Sequence, residues 1–399
     1  MSEPRRISIF GSTGSIGRSA LSVVAHANTV NESPVFAVDT LVAGRDAEGL
    51  AEQAITIGAK HVVLADETGL ERLRSAVSGR GITAAAGQTA IIEAARRPVD
   101  RLLAAIVGIA GLPSTLAALQ AGISVALANK ESMVCAGPLL NAIANKSGAA
   151  IVPTDSEHNA MFQVMERRSD VERLILTASG GPFRTASLEV LQAAKPEDAL
   201  AHPRWSMGQK ISIDSATLFN KGLELIEACF LFDIPEDRVD VVVHPQSTIH
   251  SLVSYRDGSV LAQMGEPDMR TPIAHALTWP ERRQPTPVKR LDLIGLGQLD
   301  FEALDTTRFP AVSLARHAIR LGGGAPTVLN CANEGAVAAF LAGHLRFTDI
   351  SWVVEQALER FVAENFDAKP LDSLQAVEQV QARAEHITRA FVADAAARV

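Results

Sequence analysis

The sequence predicts an α/β protein that begins with a doubly wound parallel sheet. In residues 1–150, short apolar runs such as "RISIF" and "HVVLA" alternate with helical patterns such as "SALSVVAHA". Strands that alternate with helices in this way form βαβ units, whose strands lie parallel. A glycine-rich loop, "GSTGSIG", stands between the first predicted strand and the first predicted helix, as it does in Rossmann-like dinucleotide-binding domains.

The remainder of the chain predicts an α+β domain followed by a helical bundle. Residues 151–285 combine strand-like runs such as "VERLILT" with polar loops, which commonly carry catalytic and binding residues. Residues 281–310 show little periodicity, which indicates a connecting segment, and beyond residue 311 apolar residues recur at helical spacing. The predicted parts are a nucleotide-binding domain (1–152), a catalytic domain (153–285), a linker (286–312) and a C-terminal helical domain (313–399).

Composition argues against several classes of protein. The chain has 399 residues and a net charge of -8, whereas a nucleic-acid interface needs clustered lysine and arginine. Its three cysteines, Cys135, Cys229 and Cys331, lack the paired spacing of a disulfide framework or a zinc site. Neither a signal peptide nor a run of about 18 apolar residues is recognisable. We therefore expect a soluble, cytoplasmic protein with reduced thiols that binds neither nucleic acid nor membranes.

The glycine loop is the first candidate binding feature. Gly11, Gly14 and Gly17 allow bare backbone to approach a pyrophosphate at the N-terminus of the first helix. Their spacing is G-x-x-G-x-x-G, whereas the usual dinucleotide motif is G-x-G-x-x-G. A tight strand-to-helix turn without a ligand is therefore the alternative interpretation.

The end of the second predicted strand bears on which nucleotide would bind. NAD enzymes normally place an acidic residue there for the ribose 2′-hydroxyl, but this chain has Gly44 followed by Arg45. An arginine suits a 2′-phosphate, so NADP(H) is favoured over NAD(H). The charge of Asp46 opposes that interpretation, and Asp46 is equally suited to cap the helix that follows.

The stretch "TDSEHN" (154–159) is a candidate metal site. Asp155 and Glu157 lie two positions apart, so on an extended segment their side chains point the same way. Two such carboxylates can chelate Mg²⁺ or Mn²⁺, hard ions that prefer oxygen ligands, if a third carboxylate joins them.

The segment "DSATLFNKGLELIEACFLF" offers that third carboxylate. Its apolar positions predict one largely buried helix, with Asn220, Glu224 and Glu227 on a second face. Unpaired buried carboxylates are strongly unfavourable, and spacing does not separate Glu224 from Glu227 as the ligand. The alternative without metal is a Lys221–Glu224 pair within the helix and a solvated acidic loop at 155–157.

Two serine-containing segments predict an anion site. In "TASGGPF", Ser179 with Gly180 and Gly181 can direct backbone N–H groups at an anion. The stretch "IDSATLFNK" predicts a helix with Ser215 near its N-terminus and Lys221 two turns later, a suitable arrangement for phosphate. Serine and glycine are also ordinary turn residues, so neither segment alone is strong evidence for an anion site.

The stretch "HPRWSMGQK" predicts a loop that closes over a ligand. His202, Trp205, Met207 and Gly208 combine aromatic, apolar and polar character in a loop of a chain that has only three tryptophans. A tryptophan that merely anchors the packing is the alternative.

Eight motifs, in one order along nearly the whole chain, resemble the 1-deoxy-D-xylulose 5-phosphate reductoisomerase family. They are "GSTGSIG" (11–17), "LANKES" (127–132), "DSEHNA" (155–160), "SGGPF" (179–183), "HPRWSMG" (202–208), "DSATLFNKGLE" (214–224), "HPQSTIHS" (244–251) and "GEPDMRTPIAHAL" (265–277). The resemblance implies an enzyme that makes 2-C-methyl-D-erythritol 4-phosphate for isoprenoid synthesis, and it implies a homodimer.

The resemblance also implies roles for individual residues. Asp155, Glu157 and Glu224 would bind Mg²⁺ or Mn²⁺, which selects Glu224 over Glu227. The residues that would hold the substrate phosphate are Ser179, Ser215, Asn220 and Lys221. Those that would contact the hydroxyl-bearing end of the substrate are Lys130, Ser156 and His202, with Trp205 and Met207 in the closing loop. Those that would bind NADPH are Thr13, Gly14, Ser15, Ile16, Gly44, Arg45, Asp46, Asn129, Glu131 and Gly208.

The implied chemistry suits these residue types. A metal ion that bridges the ketone oxygen and a neighbouring hydroxyl polarises both, so that the carbon skeleton can rearrange. Lys130 can donate a hydrogen bond to developing charge, and NADPH then reduces the rearranged aldehyde. His158, His250 and Glu227 are candidate proton carriers, although structural support is the favoured role for each.

Three other functions compete with this one. Another NADP-dependent dehydrogenase of similar architecture would not need three carboxylates and a phosphate site. A metal-dependent sugar-phosphate aldolase or isomerase without a redox step leaves the glycine loop unexplained. A catalytically silent NADP-sensing protein would bind nucleotide without any dependence on metal.

Overall fold

The computed structural model describes residues 3–201, 208–281, 284–364 and 367–398. The chain folds into two compact units, and neither of them is one continuous stretch of sequence. The first unit comprises Met1–Ser132, Leu140–Asn159 and Asp268–Arg290, and the second comprises Met133–Leu139, Ala160–Pro267 and Leu291–Val399. The four-part division by residue number stays a prediction.

The first unit contains a parallel sheet, which confirms the doubly wound prediction. Within the described residues this sheet has seven strands in the order β4-β3-β2-β1-β5-β6-β7, and every neighbouring pair is parallel. The strands are β1 Arg5–Phe10, β2 Phe36–Ala43, β3 His61–Leu64, β4 Thr83–Ala86, β5 Arg101–Ala104, β6 Val125–Leu127 and β7 Ile151–Pro153. The order reverses between β1 and β5, and such a switch point is where doubly wound folds bind ligands.

Helices connect and cover these strands, as the alternating pattern predicts. They are α1 Ser15–Val30, α2 Ala47–Ile57, α3 Leu70–Ala76, α4 Gln88–Ala95, α5 Leu112–Gln120, α6 Lys130–Ser147 and α7 Ser156–Val164. Helix α6 is kinked at Ala136, two residues before Pro138, because a proline inside a helix removes one backbone hydrogen bond. A later helix of the chain, Arg270–Thr278, also belongs to this unit and packs against α1.

The second unit contains a second sheet, as predicted for the α+β domain, and the structure shows that this sheet is mixed. Within the described residues its order is β11-β10-β8-β9-β12, with β8 and β9 parallel and the other pairs antiparallel. The strands are β8 Val171–Ala178, β9 Val239–Val243, β10 Ile249–Tyr255, β11 Val260–Met264 and β12 Glu302–Ala303. Strand β12 lies in the segment predicted as a linker, so that segment also extends the sheet.

The helices of the second unit include the predicted C-terminal bundle. They are α8 Leu188–Ala193, α9 Pro196–Leu200, α10 Gln209–Thr217, α11 Phe219–Phe232, α13 Leu293–Leu296, α14 Ala311–Leu321, α15 Ala325–Leu341, α16 Asp349–Ala363 and α17 Leu374–Ala396, while α12 is the helix Arg270–Thr278 of the first unit. Apart from the exposed α13, the helices of the second unit contribute buried apolar residues to one core, in which Phe347 packs edge-on against Phe183 with ring centroids 4.9 Å apart. None of the helices within the described residues has the length and apolar character needed to cross a membrane.

Candidate active site

The glycine loop joins β1 to α1 and leaves the first turn of α1 accessible. Gly11 has φ of 90°, and a Cβ atom there would lie 2.3 Å from the carbonyl oxygen of Ala105, so only glycine fits. Gly14 is the N-cap residue of α1, and no side chain caps the helix there. Thr13 and Ile16 are half-buried, whereas Gly14 and Ser15 are exposed. The N–H groups of this turn are therefore available to an anionic ligand.

The loop after β2 separates the roles of Arg45 and Asp46. The Oδ1 atom of Asp46 accepts a hydrogen bond of 2.9 Å from the backbone N–H of Gly49, so Asp46 caps α2. The Arg45 side chain is 91% exposed, and its Nε lies 3.8 Å from Asp66. Gly44 is exposed as well. The capping role foreseen as the alternative for Asp46 is therefore present, and the guanidinium of Arg45 is accessible to a ligand.

Asn129 organises the start of α6, where Lys130 and Glu131 follow. Its side chain accepts a hydrogen bond of 2.7 Å from the Ser132 N–H and thereby caps the helix. Its amide nitrogen donates to the carbonyl oxygen of Gly108 at 2.6 Å and also to that of Ile106. Asn129, Lys130 and Glu131 are all buried. The loop after β5 is therefore tied to the start of α6.

The acidic segment is a helix start, and its prediction as an extended segment is wrong. Strand β7 ends at Pro153, Asp155 immediately precedes α7, and Glu157 lies in the first turn of that helix. Aspartate and serine are favoured where helices begin, and a glutamate in the first turn interacts favourably with the helix dipole. The backbone N–H of Asn159 donates to the Asp155 carbonyl at 2.9 Å, which closes this turn.

Asp155 is held as an ionised carboxylate. Its Oδ2 lies 2.6 Å from the Lys130 ammonium, and its Oδ1 lies 3.0 Å from Nδ1 of His158, which is fully buried. Burial raises the pKa of Asp155, but the Lys130 charge and the His158 hydrogen bond outweigh burial and hold the pKa well below its ordinary value. The Ser156 hydroxyl donates to Glu157 at 2.5 Å. These carboxylate oxygens suit a hard divalent cation.

The pairing of Lys130 with Asp155 was not predicted from the sequence, although a signal for it exists. Strands β6 and β7 are parallel neighbours, with Leu127 beside Pro153. Lys130 and Asp155 each follow the carboxyl end of one of these strands. Since the carboxyl ends of parallel strands meet at one edge of the sheet, two charged residues that follow such ends are candidates for contact.

In the second unit, the predicted single helix from Asp214 to Phe232 is wrong. Helix α10 ends at Thr217, and Leu218 adopts a left-handed conformation, with φ of 63°, before α11 begins. Ser215 consequently lies in the last turn of α10, and Lys221 lies in the first turn of α11. A left-handed leucine is unfavourable by itself, but the Leu218 side chain is buried in the core of this unit. Tertiary packing therefore outweighs the helical pattern at this residue.

Helix α11 presents the predicted cluster of polar residues at its start. The Asn220 amide donates to Oε1 of Glu224 at 2.5 Å, and the Lys221 ammonium contacts Oε2. Glu224 is only 1% exposed, and Glu227 is fully buried one turn later. The Lys221–Glu224 pair offered as the alternative to metal binding is therefore present. It does not exclude a metal ion, because a carboxylate has about four lone-pair sites.

The serine–glycine loop after β8 lies against α10. The Gly181 N–H donates to the Ser179 hydroxyl oxygen at 3.2 Å, and Gly180 and Gly181 have φ of 83° and 65°. A Cβ atom at Gly181 would lie 2.8 Å from the carbonyl oxygen of Ser215, so glycine permits this approach. The two serines predicted to hold phosphate, Ser179 and Ser215, are thus brought to neighbouring segments of one unit.

Of the predicted closing loop, the structure describes only the last residue of the motif, Gly208. His202, Trp205 and Met207 lie outside the described residues. Gly208 is exposed and is the N-cap residue of α10.

Family models match most of the chain. Models of 1-deoxy-D-xylulose 5-phosphate reductoisomerase and of its C-terminal domains match residues 7–137, 151–232 and 264–391. The 1-deoxy-D-xylulose 5-phosphate reductoisomerase of Caulobacter vibrioides is 54% identical over 362 residues, which are 90% of this chain and 89% of the relative. The chain belongs to the 1-deoxy-D-xylulose 5-phosphate reductoisomerase family.

Solved structures of this family are similar to the chain over nearly its whole length. The reductoisomerase from Zymomonas mobilis in complex with NADPH is 46% identical, with a TM-score of 0.90 over 98% of this chain and 99% of the other. A DOX-P reductoisomerase in complex with NADPH, fosmidomycin and magnesium is 41% identical, with a TM-score of 0.89 over 98% of each chain. The predicted fold class and the predicted family are confirmed.

Proposed function

We infer that this chain is an NADPH- and divalent-metal-dependent reductoisomerase that converts 1-deoxy-D-xylulose 5-phosphate into 2-C-methyl-D-erythritol 4-phosphate, a step of isoprenoid precursor synthesis. The observation that carries this function is the family match across the chain, from the glycine loop to the helical domain. Within the first unit, one sheet edge bears both the accessible turn of α1 and the ionised Asp155.

We propose Asp155, Glu157 and Glu224 as the metal ligands. All three offer carboxylate oxygens, the donors that Mg²⁺ and Mn²⁺ prefer, and Asp155 is held in its charged form. When bound, the ion supplies Lewis-acid polarisation of the ketone and hydroxyl oxygens of the substrate.

We propose that Lys130 and Ser156 contact the hydroxyl-bearing end of the substrate. The Lys130 ammonium is buried, which strengthens any hydrogen bond that it donates to negative charge developing on a substrate oxygen. Its contact with Asp155 fixes its position in advance, so little reorganisation is needed when charge develops. His202, Trp205 and Met207 complete this part of the proposal as residues of the closing loop.

Four residues of the second unit are proposed to hold the substrate phosphate. They are Ser179, Ser215, Asn220 and Lys221. Two hydroxyls, an amide and an ammonium supply the donors that a phosphate needs, and the left-handed glycines after Ser179 can turn N–H groups outward. Lys221 and Asn220 already donate to Glu224, so the same helix start would serve both phosphate and metal.

The proposed NADPH site combines the accessible turn of α1 with the loops after β2 and β6. Its residues are Thr13, Gly14, Ser15, Ile16, Gly44, Arg45, Asp46, Asn129, Glu131 and Gly208. NADPH supplies the hydride for the reductive step. The exposed guanidinium of Arg45 supports recognition of the 2′-phosphate.

We propose that the enzyme is a cytoplasmic homodimer. Strand β11 is the edge of the mixed sheet, with Val260 50% and Leu261 38% exposed. An apolar edge strand offers unpaired backbone groups to a second chain. The three cysteines are buried thiols that form no disulfide bond, which suits a reducing compartment.

The proposed reaction is tested by NADPH oxidation in the presence of 1-deoxy-D-xylulose 5-phosphate, with Mg²⁺ and with a chelator. We expect oxidation that requires both substrate and metal. Glu224→Gln should abolish it while NADPH still binds, whereas Glu227→Gln should retain more activity. Oxidation that persists with chelator would contradict the metal-dependent function, and equal losses in the two variants would contradict Glu224 as the ligand.

A further inference from the structure

Asn159 connects the end of β7, the first turn of α7 and helix α12. Its Nδ2 donates to the carbonyl oxygen of Pro153 at 2.7 Å and lies 3.0 Å from Nδ1 of His275. An amide nitrogen carries two hydrogens, so it can serve both partners, and His275 then accepts through an unprotonated Nδ1. Asn159 is fully buried.

Helix α12, which carries His275, is itself anchored to the parallel sheet. Arg5 in β1 donates to the carbonyl oxygens of Leu277 and Trp279 at 2.8 and 3.0 Å. Arg101 in β5 donates to the Trp279 carbonyl at 2.6 Å. Two guanidinium groups at the C-terminal end of a helix also interact favourably with its dipole. These hydrogen bonds hold the end of α12 against the sheet, and this fixes the position of His275.

We propose that His275 and Asn159 are positioning residues for the turn that carries Asp155 and Glu157. This inference rests on the proposed function, in which those two carboxylates bind the metal ion. Asn159 follows Glu157 by two positions, and its backbone N–H closes the turn on the Asp155 carbonyl. Divalent ions require their oxygen ligands at well-defined distances, so a turn that is fixed beforehand binds more tightly.

The test is Mn²⁺ binding to the full chain without substrate, measured by electron paramagnetic resonance. His275 contacts no proposed ligand and acts through Asn159, so we expect His275→Ala to weaken Mn²⁺ binding about tenfold, the lower end of the loss found when direct partners of metal ligands are removed. His275→Gln offers an acceptor oxygen to Asn159 and should recover most of the affinity. NADPH affinity should stay within about twofold, and the metal concentration for half-maximal activity should rise with the Mn²⁺ dissociation constant.

A matched control lies on the same helix. Thr278 is buried, and its hydroxyl donates to the Ala274 carbonyl at 2.8 Å. Thr278→Ala removes a hydrogen bond within α12 and should lower thermal stability without changing Mn²⁺ affinity. If Thr278→Ala weakens Mn²⁺ binding as much as His275→Ala does, general loosening of α12 explains the effect and the inference is overturned.

Failure of this inference is distinguishable from failure of the proposed metal site. If Asp155→Asn weakens Mn²⁺ binding but His275→Ala does not, the proposed metal site is supported and the positioning role of His275 is overturned. If Asp155→Asn leaves Mn²⁺ binding unchanged, the metal site itself is wrong, and the positioning role is overturned with it. The double variant Asn159→Ala/His275→Ala should weaken Mn²⁺ binding by less than the sum of the two single effects. The reason is that each single variant already removes the same Asn159–His275 contact.

Discussion

The Lys130 ammonium lies 2.6 Å from the Asp155 carboxylate, and each residue follows the carboxyl end of one of two neighbouring parallel strands. Both side chains are largely withdrawn from water. Breaking such a pair by removing one partner leaves an uncompensated charge, which is far more costly than losing an exposed pair. This contact joins the proposed hydrogen-bond donor of the reaction to a proposed metal ligand.

Replacing Lys130 should therefore affect catalysis strongly. We expect Lys130→Met to lower kcat by about 10²–10³, the range found when one preorganised donor to a developing oxyanion is removed. Steady-state kinetics with saturating Mg²⁺ measures this, and NADPH titration checks that the nucleotide still binds. Lys60→Met, at an exposed lysine just before β3, is the control and should match the unsubstituted enzyme. Wild-type kcat in Lys130→Met would contradict the proposed role.

Arg45 should determine the preference for NADPH over NADH. A hydrogen bond to a charged group contributes about 1.5–3 kcal/mol, so Arg45→Ala should lower kcat/KM for NADPH by about ten- to a hundredfold. The value for NADH, which lacks the 2′-phosphate, should change little. Arg72→Ala removes an exposed arginine paired with Glu48 and should leave both values unchanged. A parallel loss for the two nucleotides would show that Arg45 does not read the 2′-phosphate.

The cluster of Glu236 with Arg316 and Arg320 should make stability depend on pH. Its carboxylate lies 2.8 Å from Arg316 and 2.6 Å from Arg320. Burial raises the pKa of Glu236, but the two arginines outweigh it and lower the pKa below its ordinary value. A depressed pKa in the folded state contributes stability above the unfolded-state pKa, and this contribution is lost as the pH falls through the folded-state value.

Glu236→Gln should therefore destabilise the protein at neutral pH, by about 1–3 kcal/mol for charge-assisted hydrogen bonds. Urea unfolding at several pH values should show this difference shrinking as the pH falls below 4.5, the ordinary pKa of glutamate. Glu71→Gln is the control, because its pair with Arg74 is exposed and should contribute less than about 1 kcal/mol. A difference that grows in acid would contradict the sign of the shift.

Strand β11 should be required for the proposed dimer. We expect Leu261→Asp to shift the mass measured by light scattering from dimer to monomer, because a charge on an edge strand opposes pairing with a second chain. Ile294 is 91% exposed outside this strand, so Ile294→Asp is the control and should leave the mass unchanged. An intact dimer in Leu261→Asp would place the interface elsewhere.

The order of elements was predictable because its signals are local. Alternating apolar runs and helical patterns indicated the parallel sheet, and helical spacing indicated the C-terminal bundle. The glycine loop was also predictable, because Gly11 and Gly14 stand between the end of β1 and the start of α1. The capping role of Asp46 was foreseen as an alternative from its position before α2. In each of these cases the determining interactions lie within a few residues of the motif, or in the element itself.

The sequence by itself thus determined most of the elements, the family and the chemical types of residue at the site. Tertiary structure decided how those residues meet. Leu218 breaks a continuous helical pattern because its side chain is buried in the core, and the acidic segment became a helix start against β7. Lys130 reaches Asp155, and His275 reaches Asn159, only because strand pairing and the return of α12 bring distant segments together. Periodicity reports which face of an element is buried, whereas the partner of that face depends on contacts between residues far apart in the chain.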